Sequence, residues 1–173
     1  MVTTSPIATG RDEIFRILSS VKDPELPFID IVELGIVRDA SVEGETVRVD
    51  ITPTYSGCPA MDVIEREARE ALHSHGFGSV EIRTVFTPAW TTDWMSEETK
   101  QKFRDYGIAP PGPVGSTGGI EELVSLRRAP TAVRCPYCGS DNTVEKSEYG
   151  STACKSINYC ESCHQPFDSF KSI

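Results

Sequence analysis

Residues 46–59, TVRVDITPTYSGCP, decide the fold of the first half of this 173-residue chain. Apolar residues at 46–51 alternate with polar ones, which is the pattern of a β-strand with one buried face. A loop follows, and from Pro59 to about Ser74 apolar residues return at helical spacing. The stretch therefore predicts a strand, a loop and a helix, with Cys58 in the loop.

The elements on either side of this stretch complete a small domain. Alternation from Val80 to Phe86 predicts a strand that returns parallel to the first by a right-handed crossover. Apolar residues from Ile31 to Asp39 predict another strand, joined to it as a hairpin through Glu43-Gly44-Glu45. A first helix is expected from Thr9, its capping residue, to Val21. We therefore predict an α+β fold, a small mixed β-sheet with helices packed on one face.

Composition shifts indicate the domain boundaries. An aromatic loop at residues 88–95 precedes a predicted helix from Ser96 to Tyr106. Residues 108–131 begin with a cluster of prolines and glycines, which is typical of a linker. We expect a first domain at residues 8–107, the linker at 108–131 and a zinc ribbon at 132–173.

The net charge of −9 constrains the partners. Residues 1–115 hold 19 acidic and 11 basic side chains, and the remainder is also slightly acidic. Neither half offers the basic surface that nucleic acid or an anionic membrane requires. No apolar run approaches the ~18 residues of a membrane span, and the N-terminus lacks the features of a signal peptide, so a cytoplasmic location is expected.

Two Cys-x-x-Cys pairs dominate the last domain. They are Cys135/Cys138 and Cys160/Cys163, separated by 21 residues. Two-residue spacing lets both thiolates of one turn reach the same ion, and two such turns complete a tetrahedron around a structural zinc. A module of this size buries little apolar surface, so metal binding would supply much of its stability. A redox dithiol pair and a rubredoxin-like iron site are the alternatives.

Two further residues of the ribbon bear on the ligand set. Cys154 lies outside both pairs, and we interpret it as a small buried apolar residue rather than a fifth, exchangeable ligand. His164 directly follows the last cysteine, where a position on the surface or behind a ligand is favoured over ligation. The sequence leaves the role of Cys154 and the choice between zinc and iron open.

Cys58 is the lone cysteine of the first domain. Because proline is favoured at the first position of a helix, Pro59 predicts Cys58 at the N-cap, where the helix dipole would lower the pKa of its thiol. Such a thiol is a better nucleophile and a better ligand for iron. The plainer interpretation is a helix cap packed under the loop. His73 and His75 lie more than about 20 Å away along the helix, which disfavours a Cys-His hydrolase.

Neighbouring motifs supply candidate partners for this cysteine. Asp23 and Glu25 either end the first helix as solvated acids or lie near Cys58 as ligand or proton acceptor. The loop hydroxyls that could hydrogen-bond a bound sulfur or anion belong to Thr52, Thr54 and Ser56. Trp90 and Trp94 either pack onto the sheet or form a partner-docking surface.

These motifs resemble those of a known family. The matching segments are residues 23–27 (DPELP), 30–37 (DIVELGIV), 52–54 (TPT) and 57–59 (GCP). They are similar to the iron–sulfur assembly domain shared by SufT and the cytosolic iron–sulfur assembly factors. The further segments that narrow the resemblance are residues 88–95 (PAWTTDWM), 106–111 (YGIAPP) and 163–168 (CHQPFD). With them, the whole chain resembles the PaaD (PaaJ) family, accessory proteins of the phenylacetyl-CoA epoxidase (oxygenase) complex.

The resemblance implies a function that composition alone does not. It implies aerobic phenylacetate catabolism as the pathway and Cys58 as the cluster-handling residue, with Asp23 and Thr54 nearby. Family members accompany a di-iron oxygenase and an iron–sulfur flavin reductase and help to mature one of them. A single cysteine cannot hold a cluster alone, so other ligands would come from a second copy in a homodimer, from the client or from a small thiol. With the structural zinc predicted from the cysteine spacing, a transient iron–sulfur cluster is the second expected cofactor.

Four functions are compatible with these features. A non-catalytic assembly or insertion factor acting through Cys58 is favoured, because the chain lacks a di-iron carboxylate pattern, a flavin motif and a dinucleotide glycine loop. The alternatives are a structural component of the oxygenase, a thiol enzyme with Cys58 as nucleophile, and a ribbon that binds nucleic acid. The sequence leaves open which client is matured and whether the cargo is a cluster, iron or neither.

Overall fold

The structure is a computed structural model that describes residues 10–55, 57–112 and 133–171. The chain divides into two units, Met1–Trp90 and Thr91–Ile173. Each unit has its own sheet and at least one helix. None of the helices in the described ranges is both long enough and apolar enough to cross a bilayer.

The first unit is built around a three-stranded sheet. Its elements in chain order are α1 (Arg11–Leu18), β1 (Lys22–Asp23), β2 (Leu26–Asp30), β3 (Val37–Glu43), β4 (Thr46–Ile51), α2 (Met61–Ser74) and β5 (Ser79–Thr84). β1 and β2 form a small antiparallel pair, and the sheet has the order β3-β4-β5. β4 runs antiparallel to β3 and parallel to β5, with Val49 opposite Ile82. The predicted hairpin and parallel return strand are confirmed.

One face of this sheet carries the core. The apolar side chains of β4, Val47, Val49 and Ile51, are fully buried. α1 and α2 contact each other, and they contact β3 and β5 respectively. The helices contribute Ile14, Ile17 and Leu18 from α1 and Ile64, Ala68 and Leu72 from α2. Removing these side chains from water stabilises the packing of two helices on one face, so the predicted α+β fold is confirmed.

The opposite face of the sheet is charged. Arg48 on β4 lies between Glu43 on β3 and Glu81 on β5 and forms an ion pair with each. On the same face Arg83 of β5 donates two hydrogen bonds of 2.8 Å to Asp50. Exposed pairs of this kind contribute about 1 kcal/mol or less each, and they mark a face directed to solvent.

The strand predicted from Ile31 begins later than the sequence indicated. Residues 31–35 form turns, and β3 starts at Val37. Asp30 Oδ1 accepts the backbone N–H of Glu33 at 2.8 Å, and Glu33 Oε2 accepts the N–H of Asp30 at 3.5 Å. This reciprocal capping starts a turn where the apolar run had suggested a strand.

The first helix is also shorter than predicted. It begins at Arg11 after Gly10, and the predicted cap Thr9 lies outside the described residues. It ends at Leu18 instead of continuing to Val21. The hydroxyls of Ser19 and Ser20 donate to carbonyls of the last turn, at 3.0 and 2.7 Å, which favours the end of the helix there.

The second unit is a four-stranded sheet with one helix. A 3₁₀ turn at Thr92–Trp94 precedes α3 (Glu97–Asp105), β6 (Ile108–Ala109), β7 (Thr143–Ser147), β8 (Lys155–Cys160) and β9 (Pro166–Phe170). The sheet order is β6-β9-β8-β7, with β6 parallel to β9 and the other neighbours antiparallel. The Ser96 hydroxyl caps α3 by accepting the N–H of Thr99. The ring centroids of Phe103 on α3 and Phe170 on β9 lie 5.2 Å apart.

The structure draws the domain boundary earlier than the sequence prediction did. The predicted first domain ended at residue 107, but α3 and β6 belong to the second unit. Ile108 and Ala109, expected in the linker, pair with Asp168 and Ser169 of β9. Residues 113–131 of the predicted linker lie outside the described residues. Composition does not show which strands the helix before a proline-rich stretch packs against, so it placed the boundary too late in the chain.

Candidate functional site

Four cysteine sulfurs converge in the second unit. The Sγ atoms of Cys135, Cys138, Cys160 and Cys163 all lie within 4.8 Å of one another. The sulfurs of Cys135 and Cys163 are 3.7 Å apart, and those of Cys138 and Cys160 are 3.6 Å apart. A tetrahedron with bonds of about 2.3 Å has edges of about 3.8 Å, whereas a disulfide bond measures about 2.05 Å. The four thiols therefore fit one metal ion, and the predicted ribbon is confirmed.

The two cysteine turns have the same backbone. The carbonyl of Cys135 accepts the N–H of Gly139, and the carbonyl of Cys160 accepts the N–H of His164, both at 2.9 Å. Each leading cysteine also donates its N–H to the carbonyl five residues later, at 2.9 and 3.0 Å. Gly139 and His164 both have positive φ, 72° and 58°. The repeated turn aims both sulfurs of a pair at one point, and His164 serves it through its backbone while its side chain is exposed.

Burial is uneven around the four sulfurs. Cys135 and Cys160 are buried in a cluster with Ala109 of β6 and Phe167 of β9. Cys138 is exposed. Ala109 and Phe167 keep water from two of the four sulfurs. Because Ala109 belongs to β6, this contact explains why β6 groups with the ribbon.

The thiols of the cluster differ in acidity. The backbone N–H of Cys163 lowers the pKa of the Cys160 thiol to about 6, because it hydrogen-bonds the thiolate. Burial raises the pKa of the Cys163 thiol to about 12, and the three neighbouring cysteines supply further, smaller influences that raise it. Four thiolates this close repel one another, so a bound cation is what allows all four to lose their protons.

Cys154 stands apart from this cluster. It is buried, and its sulfur lies 3.1 Å from the Thr152 hydroxyl. It is not among the four cysteines whose sulfurs converge. This placement agrees with the interpretation of Cys154 as a small buried residue.

Cys58 lies in the loop between β4 and α2 of the first unit. The helix starts at Met61 with Ala60 at its N-cap, so Cys58 precedes the cap rather than occupying it. The backbone N–H groups of Ala60 and Met61 lower the pKa of the thiol. The N–H of Met61 donates to the Cys58 carbonyl at 3.3 Å, and the N–H of Cys58 donates to the Tyr55 carbonyl at 3.1 Å. The side chain is half-buried, so the thiol is held at the surface of the loop.

The pKa of Cys58 moves in the direction opposite to the sequence prediction. Burial raises the pKa of the thiol, and the carboxylates of Glu25 and Asp23 raise it further. The two backbone N–H groups lower it without reversing the result. The prediction of a lowered pKa is therefore wrong, because it considered the helix terminus and not the desolvation and the acidic neighbours.

Asp23 and Thr54 lie in buried positions within the same unit. Asp23 is 6% exposed, and its Oδ1 accepts the N–H groups of Glu25 and Leu26 at 2.8 and 3.0 Å. This carboxylate therefore shapes the turn between β1 and β2 as well as acting electrostatically on Cys58. Thr54 is 8% exposed, and Ser56 lies outside the described residues. The structure brings Asp23 and Glu25 within electrostatic reach of Cys58, which favours their predicted functional interpretation.

The two tryptophans have different environments. Trp90 is 4% exposed, and its Nε1–H donates to the Leu34 carbonyl at 2.9 Å. Of the two alternatives for Trp90, this contact favours packing over a docking surface, because the side chain holds its own loop against the turn at residues 31–35. Trp94 belongs to the second unit and is half-buried in the 3₁₀ turn.

The two histidines of α2 lie at the end of the helix far from Cys58. His73 and His75 lie at the C-terminal end of the helix, and their Nδ1 atoms are 2.7 and 2.8 Å from backbone carbonyls. Cys58 lies at the other end of the same helix. The expectation that neither histidine activates the thiol agrees with this geometry.

One buried carboxylate was overlooked in the sequence. Asp30 is 5% exposed, and burial raises the pKa of its carboxyl group. Its neighbours are Glu33, which caps the same turn, and Lys22, whose Nζ lies 3.6 Å from Asp30 Oδ2. The spacing Asp30-x-x-Glu33, which is typical of a capping box, is the sequence signal that identifies it.

Comparisons with known proteins match both units. Residues 11–83 match a family model described as an iron–sulfur cluster assembly protein, and residues 121–171 match the PaaD zinc beta ribbon domain. A protein of Escherichia coli (strain K12) that is named as a component of 1,2-phenylacetyl-CoA epoxidase is 43% identical over 93% of this chain and 92% of its own length. The chain belongs to the PaaD family. The resemblance inferred from the sequence motifs is confirmed.

Relatives that match only part of the chain share the first unit. An Fe-S protein maturation auxiliary factor of Porphyromonas gingivalis is 37% identical over 50% of this chain and 84% of its own length. A crystal structure of a DUF59 domain from Bacillus anthracis has a TM-score of 0.50 and 29% identity, covering 53% of this chain and 88% of that one. The PaaD family thus joins an iron–sulfur assembly domain to a ribbon.

Proposed function

We propose that this protein is an accessory factor of a phenylacetyl-CoA epoxidase, which assists assembly of an iron or iron–sulfur centre through Cys58. The observation that carries the proposal is the half-buried Cys58 thiol, just before α2 and under the electrostatic influence of Glu25 and Asp23, in a domain that matches the iron–sulfur assembly family. The E. coli relative supports the epoxidase system, and the maturation factor relative supports the assembly role.

The electrostatics of Cys58 suit capture of a cation. At neutral pH the raised pKa keeps the thiol protonated, so the free protein resists alkylation and oxidation at this residue. An arriving iron ion or cluster would be attracted by Glu25 and Asp23 and would displace the thiol proton. The same carboxylates that oppose a free thiolate thus favour a metal-bound one.

A non-catalytic role fits the surroundings of the thiol. A cysteine nucleophile needs a base within hydrogen-bond reach and a lowered pKa. Here the pKa of Cys58 is raised, and both histidines of α2 lie at the far end of that helix. We therefore propose binding and transfer rather than turnover at Cys58, with Asp23 and Thr54 as its neighbours in the motif.

The ribbon is proposed to hold structural zinc. Four thiols spaced for a tetrahedron and the match to a zinc beta ribbon domain support this choice. Zinc would fix the two cysteine turns and the strands that carry them. We propose a cytoplasmic location, where thiols stay reduced, and the di-iron oxygenase or the iron–sulfur flavin reductase as the client.

Anaerobic reconstitution with ferrous iron and sulfide tests the assembly role. Wild type, Cys58→Ala and the matched control Cys154→Ala would be compared for iron, sulfide, zinc and absorption spectrum. We expect the chromophore in wild type and Cys154→Ala, its loss in Cys58→Ala, and one zinc per chain in all three. Equal iron and sulfide in Cys58→Ala and wild type would remove the carrier role.

A structural component of the epoxidase is the second candidate, supported by the name of the E. coli relative. It would leave Cys58→Ala silent when epoxidase activity is measured in cells that depend on this protein. The assembly role predicts instead that Cys58→Ala lowers activity and that the client isolated from those cells contains less iron.

A further inference from the structure

β5 lies at one edge of its three-stranded sheet. Among the described residues it pairs with β4 on one side only. The N–H of Val85 donates to the Ile51 carbonyl at 2.8 Å, so by alternation the backbone groups of Val80, Ile82 and Thr84 point away from β4. The Arg69 guanidinium of α2 reaches the Val80 carbonyl at 2.5 Å, which agrees with that direction. Unpaired edge strands are templates for pairing with another chain.

The side chains of this edge are less covered than those of the central strand. Val80 and Ile82 are half-buried, whereas Val47 and Val49 on β4 are fully buried. Just beyond the strand, Phe86 is 64% exposed. Pairing at the β5 edge would cover apolar surface that the unit itself leaves open.

We propose that two copies of this chain associate by antiparallel pairing of their β5 strands, centred on Ile82. The sequence around this centre is self-complementary in charge. Glu81 of each copy falls opposite Arg83 of the other on the charged face of the sheet, and opposite charges across strands stabilise pairing. The two Ile82 residues meet on the core face, and Val80 falls opposite Thr84.

The same register accommodates Phe86. Continued beyond the strand, it sets Phe86 of one copy opposite Gly78 of the other. Nothing lies within 4 Å of the position a Cβ would take at Gly78, so an aromatic ring has room there. Aromatic side chains across from edge glycines are a known stabilising pair. Arg69 leaves the pairing open, because a carbonyl oxygen can accept two hydrogen bonds.

This arrangement has a consequence for Cys58. β4 and β5 are parallel, and Cys58 follows the C-terminal end of β4. In an antiparallel β5 pair the two β4 strands also run antiparallel, so their C-terminal ends point in opposite directions along the strands. Three strand spacings separate the two β4 strands, which is about 14 Å in the direction across the sheet. Two sulfurs that share one ion lie about 3.8 Å apart. The two Cys58 residues therefore form independent sites and do not share one cluster.

A charge-exchange experiment tests the pairing in the full-length protein. Sedimentation velocity over a concentration series would compare wild type, Glu81→Arg, Arg83→Glu and their equimolar mixture. Each variant alone puts like charges opposite each other, so we expect its dimer to weaken by about tenfold or more. The mixture restores opposite charges at both positions, so the dimer returns. Glu45→Arg, an exposed change of equal charge on the β3–β4 turn, is the matched control and leaves the dimer unchanged.

The mixture separates pairing from folding. Each substitution also disturbs an ion pair within its own chain, with Arg48 or with Asp50, and mixing does not repair that loss. Recovery of the dimer on mixing therefore reports contacts between copies. A wild type that stays monomeric, variants that dimerise as wild type does, or a mixture no tighter than its components would each overturn the proposal. None of these outcomes bears on iron binding by Cys58, which reconstitution measures separately.

Discussion

The ribbon cysteines and Cys58 present the same side chain in two opposite settings. In the ribbon, two identical turns bring four sulfurs within 4.8 Å of one another, and the backbone of each turn is specified by a few adjacent residues. Cys58 is the one cysteine in the sequence of its unit. The pKa of its thiol depends on burial and on Glu25 and Asp23, which lie more than thirty residues earlier in the chain. A local motif suffices to define the first site, whereas the second is defined by contacts distant in sequence.

Metal removal is the sharpest test of whether the ribbon, unlike the first unit, depends on a metal ion for its fold. We expect chelation, or Cys135→Ser, to unfold the ribbon, because metal binding contributes on the order of 10 kcal/mol to such modules. Hydrogen exchange monitored by mass spectrometry would show loss of protection in β7–β9, while β3–β5 keep theirs.

Cys154→Ser is the control for that experiment, since Cys154 lies outside the sulfur cluster. It should retain the metal and the protection of β7–β9. Loss of the metal in Cys154→Ser would contradict the four-cysteine ligand set.

The two cysteine turns can be compared with each other through their positive-φ residues. Gly139→Ala forces a side chain into the left-handed region and should destabilise the ribbon by about 1 kcal/mol. His164→Gly relieves the same conformation and should stabilise it by up to about 1 kcal/mol. Thermal melts and competition with a zinc chelator measure the stability of both variants. If both substitutions destabilise the ribbon, or both stabilise it, the two turns do not respond to positive φ in the same way.

The pKa of Cys58 is predicted to respond to one carboxylate, Glu25, which is distant in sequence but acts electrostatically on the thiol. In a zinc-bound Cys154→Ser background, Glu25→Gln removes a negative charge that opposes the thiolate, so the pKa of Cys58 should fall. The pH dependence of iodoacetamide alkylation measures it, with a rate at neutral pH that rises about two- to tenfold. Glu45→Gln, in the β3–β4 turn of the same unit, should leave the alkylation profile unchanged.

The smallest expected effect concerns Asp30. Burial raises the pKa of this carboxyl group, the backbone N–H of Glu33 opposes the rise, the Glu33 carboxylate adds to it, and Lys22 opposes it. The folded state therefore holds the proton more tightly than the unfolded chain, and this residue's contribution to stability falls as pH rises through the folded pKa. Asp30→Asn keeps the oxygen that caps the turn and should flatten this dependence in urea denaturation between about pH 4 and 7.

Asp12→Asn, on the exposed face of α1, is the matched change for that comparison. It should leave the pH dependence of the unfolding free energy as in wild type. A pH profile of Asp30→Asn that is indistinguishable from wild type would show that Asp30 is not the titrating group.

Predictions from the sequence succeeded where one short pattern decides the result. The alternation at residues 46–51 identified β4, and the helical spacing that follows identified α2 to its last residue. They failed where a local pattern competes with a distant contact. The apolar run from Ile31 looked like a strand, but Asp30 and Glu33 cap a turn there and Trp90 bonds to the Leu34 carbonyl.

By itself the sequence determined the α+β fold, the four cysteines of the ribbon and the PaaD family, because each rests on spacing that is short-range along the chain. Only the tertiary structure decided that the pKa of Cys58 is raised, that Trp90 is buried and that α3 belongs with the ribbon. Desolvation and electrostatic interaction depend on which atoms are near in space. Spacing along the chain does not specify those neighbours until the chain has folded.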